Sequence, residues 1–109
     1  MDNVLNTYIY EIKKGTKPLA LLTVSNECLD RLLDKITKNG LEYALQKIEN
    51  KCNIFFGESE CVEVVKTFLD KNLSQLSADK DFILGILLGY NRVQQCRRYL
   101  NKLNLHPIG

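Results

Sequence analysis

The residues best suited to chemistry are Gly57, Ser59 and Cys61, which lie at a predicted strand-to-helix turn. The nucleophile elbow G-x-S-x-G holds its serine exposed at such a turn. Here, however, Cys61 replaces the last glycine, and the single histidine, His106, lies in the C-terminal tail. We therefore expect Ser59 to cap a helix and not to act as a nucleophile.

The same turn could offer backbone N–H groups to an anion, because a glycine-led helix start is a ready phosphate site. Glu58, Glu60 and Glu63 would repel a phosphate, and they complement the helix dipole themselves. Helix capping is therefore the favoured interpretation, with Gly57, Ser59 and Cys61 as the candidate ligand-binding residues.

The cysteines show no metal-binding or redox spacing. They are Cys28, Cys52, Cys61 and Cys96. No pair forms a C-x-x-C motif, so we expect neither a metal site nor a cofactor. Cys61 is expected to be a buried core thiol, whereas a redox or thiol function would require a reactive Cys52 or Cys61. The N-terminus lacks the basic and apolar regions of an export signal, which predicts a cytoplasmic protein with free thiols.

Two glycines, Gly85 and Gly89, are one helical turn apart in the apolar segment 82–90. That segment is too short to span a bilayer, so we expect no membrane association. Together the glycines cost up to about 2 kcal/mol of helix propensity relative to alanine, which indicates close packing against another backbone. This packing is either within the domain or across a dimer, and Gly85, Gly89 and Tyr90 are the candidate interface residues.

The net charge is +2, but residues 82–109 contain four Lys/Arg and no Asp/Glu. The basic residues are Arg92, Arg97, Arg98 and Lys102. They could contact phosphates, or they could balance acidic residues in the middle of the chain and suit a helix C-terminus. A helix-turn-helix in this region would place polar Gln95 where that motif needs a buried aliphatic residue. Nucleic-acid binding is therefore disfavoured.

Residue periodicity predicts two strands and a helix in the first third of the chain. Residues 7–13 alternate, with Tyr8, Tyr10 and Ile12 on one face, as a half-buried strand would. Residues 19–24 are apolar without alternation, which predicts a central strand covered on both faces. Leu29, Leu32, Leu33 and Ile36 then predict a helix that ends at Asn39-Gly40.

The rest of the chain predicts a hairpin and three helices. The hairpin pairs residues 42–48 with 52–56. A helix follows Ser59, another follows Ser77, and the last covers 92–103 with an apolar stripe at spacings of 3, 4 and 3. The stripe consists of Val93, Cys96, Leu100 and Leu103. The sequence thus predicts one α+β domain, residues 1–109, with the element order β-β-α-β-β-α-α-α. It should contain a mostly antiparallel sheet of 3–4 strands packed with 4–5 helices. Residues 105–109 should form a frayed tail.

Three stretches together resemble an uncharacterised family of short bacterial proteins. They are residues 8–11 with the following Lys-Gly turn, residues 53–61, and residues 81–90 followed by Gln95-Cys96. The resemblance covers most of the chain. It implies an α+β fold, a homodimer and a redox partner, since members are encoded near flavodoxin-type redox genes. It supplies no catalytic residues.

No set of residues combines a nucleophile, a base and an orienting group, so we expect a non-enzymatic protein-interaction module that forms a homodimer. One alternative is an accessory to a flavodoxin-type redox system, or a small thiol- or ligand-binding protein. A second alternative is weak nucleic-acid binding through the basic C-terminal helix.

Overall fold

The computed structural model describes residues 2–69 and 75–104. Within these ranges the chain forms five helices and three strands. In order they are α1 (Asp2–Lys14), β1 (Leu19–Ser25), α2 (Asn26–Lys38), β2 (Glu42–Ile48), β3 (Lys51–Gly57), α3 (Ser59–Lys66), α4 (Ala78–Leu87) and α5 (Arg92–Lys102). The predicted α+β class is confirmed, with both counts inside the predicted ranges. The predicted frayed tail, 105–109, lies outside the described residues.

The first element is a helix, so the strand predicted at residues 7–13 is wrong. Leu5, Ile9 and Ile12 are buried at helical spacing, which gives α1 an apolar face. Tyr10, which the alternating pattern placed on the buried face, is 62% exposed. The helical stripe decides the structure because it offers α1 a continuous face to bury against the sheet.

The three strands form an antiparallel sheet in the order β1-β3-β2. The predicted hairpin is confirmed as β2 and β3, and its most buried residues are Ile54, Phe55 and Phe56. The prediction that the apolar strand at 19–24 is central is wrong, because β1 pairs with β3 alone. Helices cover both faces of the sheet, so even an edge strand is apolar on both sides.

Alternate residues of the strands point to two separate cores, one on each face of the sheet. On one face, α1 and α2 pack over side chains such as Leu22, Ile54 and Phe56. On the other, α3 and α4 pack over Leu19, Ala44 and Phe55. Leu84 and Leu88 attach the end of α4 to this second core. The second core thus fixes α4, which in turn carries α5.

Candidate functional site

Helices α4 and α5 form an antiparallel hairpin whose ends are defined by local hydrogen bonds. Ser77 caps α4, as predicted, by accepting a hydrogen bond from the Lys80 amide over 3.3 Å. Gly89 adopts φ +80°, and the amide of Tyr90 donates to the Gly85 carbonyl over 3.1 Å. This arrangement is a Schellman motif, which requires a residue that tolerates positive φ at position 89.

Asn91 is the N-cap of the second helix of the hairpin. Its side chain accepts a hydrogen bond from the Gln94 amide over 3.0 Å. Lys17 adds a contact from outside the hairpin, because its Nζ donates to the Leu88 carbonyl over 3.3 Å. The same ammonium group lies 5.1 Å from the centre of the Tyr8 ring. The turn is therefore held to α1 and to the loop before β1.

The contact between α4 and α5 is partly polar. Nε and Nη2 of Arg98 donate to the two carboxylate oxygens of Asp81 over 2.6 and 3.1 Å. This bidentate pair raises the pKa of Arg98 above its usual value. The rings of Phe82 and Tyr99 lie 5.4 Å apart. These two pairs set the rotation of α5 about its own axis.

Gly85 lies at the contact between α4 and α5. A β-carbon at position 85 would overlap the side chain of Gln95. Gly85 therefore packs within the chain, but against the Gln95 side chain and not against another backbone as predicted. Gly89 follows α4 and is exposed, as is Tyr90. The three candidate interface residues thus do not share one helix face.

The apolar stripe of α5 is largely exposed. No residue of α5 is buried, Val93 is 58% exposed and Leu103 is 39% exposed. Cys96, which belongs to the predicted apolar stripe, is exposed as well. On α4, Ile83 is 40% exposed. These side chains define what we call the α4–α5 surface, which consists of Phe82, Ile83, Val93, Cys96, Leu100 and Leu103.

A groove of about 520 Å³ runs along this surface between the two helices. Its walls are mainly apolar and come from Phe82 and Ile83 on one side and Cys96 and Leu100 on the other. Asp79 lies at one end of the groove, where its hydrogen bond with the Tyr99 hydroxyl raises the pKa of that tyrosine. The groove therefore offers apolar contact along most of its length.

The four predicted basic residues do not form one uniform face. Arg98 is held by Asp81, whereas Arg92, Arg97 and Lys102 are exposed and form no ion pair with any residue that the structure describes. At 100° per residue, Arg92 and Arg97 lie about 60° and 80° to either side of the centre of the apolar stripe, whereas Lys102 lies about 140° from it, on the far side of α5. The charged residue that lines the groove is Asp79, whereas Arg97 and Lys102 line a separate pocket with Gln94, Arg98 and Asn101.

The turn at Gly57 is a packing feature. A β-carbon on Gly57 would overlap the carbonyl oxygen of Pro18, and that oxygen accepts the Glu58 amide over 2.9 Å. The helix N-cap is Glu58, so the prediction that Ser59 caps the helix is wrong. Ser59 is the first residue of α3, and its side chain is exposed. Gly57 is there because the loop before β1 approaches the backbone closely.

Cys61, which we expected to be a buried core thiol, is only partly buried against the second core. Burial, followed by the charges of Glu58 and Glu60, raises the pKa of the Cys61 thiol. Cys52 is fully buried. Within residues 2–69 and 75–104, no three His, Cys, Asp or Glu side chains are grouped as metal ligands would be. Cys61 therefore has less thiolate at neutral pH than an ordinary cysteine.

A polar ladder crosses the sheet at a level that the sequence did not indicate. Thr23 donates to Asn53 Oδ1 over 2.6 Å, and Asn53 Nδ2 donates to Gln46 Oε1 over 3.1 Å. The three residues are direct cross-strand partners. The ladder satisfies buried polar groups and penalises a slipped register.

A second cavity, of about 340 Å³, lies between the hairpin and Leu21 of β1. Its charged residues, Asp81 and Arg98, neutralise each other. It therefore presents no uncompensated charge that would select a ligand.

Sequence reasoning missed Phe82 and Ile83 as members of the site, and it found the stripe of Val93, Cys96, Leu100 and Leu103 without assigning it to a binding surface. The available signal was that residues 82–88 are apolar in every direction around α4, although a helix has only one side toward its own core. The apolar residues of α4 that do not face the sheet need a second surface to cover them, and α5 covers only part of them.

The fold and this surface define a small α+β protein that carries an exposed helical hairpin. Within that part of the chain, no helix is long and apolar enough to cross a membrane. The chain belongs to the family described as "Protein of unknown function (DUF2023)", whose model matches residues 3–102. A comparison with curated proteins found no match.

Proposed function

We propose that this chain is a protein-interaction module that binds its partner through the α4–α5 surface. The observation that carries the proposal is that α5 has an apolar stripe and yet no buried residue. Small soluble proteins seldom expose large contiguous apolar patches, and those rimmed by polar residues typically mark interaction sites. A partner that covers Ile83, Val93 and Leu103 would gain about 1 kcal/mol from each, given their partial burial.

The predicted homodimer and cytoplasmic location are parts of the same proposal. They would make the partner a second copy or another protein of the cytoplasm. The redox alternative has less support, because the Cys61 thiol has a raised pKa and Cys52 is buried. The nucleic-acid alternative has less support as well, because Asp81 already engages Arg98. A redox protein could still be the partner of the surface.

Site-specific photo-crosslinking tests the proposal. The photoreactive residue p-benzoyl-phenylalanine is placed at Val93 or, as a control, at Tyr10 on α1. The two positions are 58% and 62% exposed, so they sample solvent about equally. In the native host we expect a defined protein adduct from position 93 and none from position 10. Equal adducts at both positions, or none at position 93, would contradict the proposal.

A further inference from the structure

The polar side of α5 has a pocket of its own, separate from the α4–α5 surface. Its volume is about 540 Å³, and five side chains line it: Gln94, Arg97, Arg98, Asn101 and Lys102. They are spaced i, i+3, i+4, i+7 and i+8, so they lie on one face of the helix. The centre of this face is about 150° around α5 from the centre of the apolar stripe. A ligand in this pocket therefore leaves the stripe free for a protein partner.

Two of the three cations in the pocket are uncompensated. Among the described residues, none of those that line it is acidic. Arg98 is paired with Asp81, whereas Arg97 and Lys102 are exposed and form no ion pair with any residue that the structure describes. A phosphate monoester has a charge of about −1.5 to −2 at neutral pH, because its second pKa is about 6. Its charge therefore matches the two free cations.

Arg98 supplies a hydrogen-bond donor that is already held in place. Its Nε and Nη2 each donate to one carboxylate oxygen of Asp81, over 2.6 and 3.1 Å. A guanidinium group has five N–H bonds, so this pair leaves three of them for other acceptors. The planar fork of arginine suits phosphate oxygens, and Asp81 fixes the plane of that fork.

The two carboxamides add neutral polar groups to the pocket. Oδ1 of Asn101 is buried and accepts no hydrogen bond from any residue that the structure describes. Native proteins rarely keep such an acceptor without a donor, because it has lost its contact with water. A ligand hydroxyl that turns the Asn101 side chain toward the pocket would supply the donor. Gln94 lies on the same face and both donates and accepts.

The distribution of the cations favours a small ligand over a nucleic-acid strand. Arg92 lies about 150° around α5 from the centre of the pocket. The cations of α5 therefore do not form the continuous groove that follows a phosphate backbone. A strand laid across the pocket would meet Arg97 and Lys102 as its free cations on α5, whereas a single phosphate group can engage both.

We propose that the pocket on the polar side of α5 binds a small phosphate monoester that carries hydroxyl groups. Arg97 and Lys102 supply the charge, and Arg98 supplies a fixed donor. Gln94 and Asn101 bind the hydroxyl groups. This site goes beyond the proposed function and does not depend on it, because it lies on a different side of α5.

A nuclear magnetic resonance titration of the full chain tests the proposal. Amide ¹H–¹⁵N shifts are followed while glycerol 3-phosphate, ethyl phosphate or dimethyl phosphate is added at constant ionic strength. We expect saturable shifts at residues 94–102 and the highest affinity for glycerol 3-phosphate, which alone has hydroxyl groups. At about pH 7.5 it should bind roughly threefold or more tightly than dimethyl phosphate, because its second charge adds an exposed ion pair. The ratio should fall at about pH 5, where the monoester loses that charge.

Matched charge variants locate the site. Arg97→Gln together with Lys102→Gln should lower the affinity for glycerol 3-phosphate about tenfold, because two ion pairs are lost. The control combines Lys14→Gln and Lys47→Gln, two exposed lysines outside the hairpin. Each double variant changes the net charge from +2 by −2, to 0, so general attraction falls equally. The control should stay within about twofold of the parent chain, since distant exposed charges are screened.

Several outcomes would overturn the proposal. They are absence of saturable shifts at residues 94–102, equal losses in the two double variants, and equal affinities for glycerol 3-phosphate and either of the other two esters. A single-stranded DNA of about 20 nucleotides is a further arm, and tighter binding per phosphate with shifts that extend to Arg92 would replace the small ligand by nucleic acid. Loss of the position-93 adduct with phosphate binding intact would remove the proposed function alone.

Discussion

Replacing valine by alanine at position 93 and at position 65 tests whether the apolar stripe of α5 is free of its own chain. The substitution deletes two methyl groups, worth about 1.6 kcal/mol when fully buried. Val93 is 58% exposed, so its remaining burial contributes about 0.7 kcal/mol. Alanine returns about 0.6 kcal/mol through its higher helix propensity. Val93→Ala should therefore change the free energy of unfolding by less than about 0.5 kcal/mol.

Val65 on α3 is the matched control, because it is fully buried in the second core. There the lost burial and the cavity outweigh the gain in helix propensity, so Val65→Ala should cost about 2 kcal/mol. Urea unfolding followed by circular dichroism measures both variants against the parent chain. If the two substitutions destabilise the protein equally, the α5 stripe is buried within the chain and our reasoning about the surface is wrong.

Two further predictions concern the turn at residue 57 and the thiols. Gly57→Ala should destabilise the chain by more than about 2 kcal/mol, since its β-carbon meets the Pro18 carbonyl. Gly40→Ala, with φ +75° and open space around it, should cost only about 1 kcal/mol. Equal losses in thermal or urea unfolding would refute the packing role. In native protein at pH 8, iodoacetamide should label exposed Cys96 before Cys61, whose raised pKa leaves less thiolate. Peptide mass spectrometry gives the order, and faster labelling of Cys61 would contradict it.

Most elements could be predicted because their local signals agree with their tertiary setting. In α2 the stripe of Leu29, Leu32 and Ile36 is buried, and Gly40 follows the helix with positive φ. Ser77 and Asn91 each accept an amide hydrogen bond at the start of the predicted helix. Caps and stripes of this kind are set by residues a few positions apart, so the sequence alone contains them.

Residue periodicity could not predict whether α1 is a helix or a strand, because its sequence is compatible with both periods. Tyr8, Tyr10 and Ile12 alternate like a strand, while Leu5, Ile9 and Ile12 follow a helix. Only the helical stripe extends over the full length of the element, and the sheet supplies the surface that buries it. Whether a short apolar segment forms a helix or a strand depends on the surface that it packs against, and the periodicity of its own residues does not describe that surface.

The position of β1 in the sheet was mispredicted for a related reason. An unbroken apolar strand indicates that both faces are covered, which is correct for β1, where Ala20 and Leu22 face one core and Leu19 faces the other. Whether both edges carry hydrogen bonds is a separate property. In this fold β3 takes the middle position because it pairs with both β1 and β2. Apolar content reports covered faces and says nothing of paired edges.

The rotation of α5 is the step that turns an ordinary amphipathic helix into a candidate binding surface. Gln95 faces Gly85, and the next residue, Cys96, is about 100° away around the helix. Turning α5 by that angle would bury the apolar stripe against α4, but it would separate Arg98 from Asp81 and Tyr99 from Phe82. In the structure both pairs are formed, and the apolar stripe of α5 is exposed to solvent. Amphipathicity thus predicts that α5 has a face to bury, whereas the pairs that fix its rotation leave that face exposed, which is the basis of the proposed binding surface.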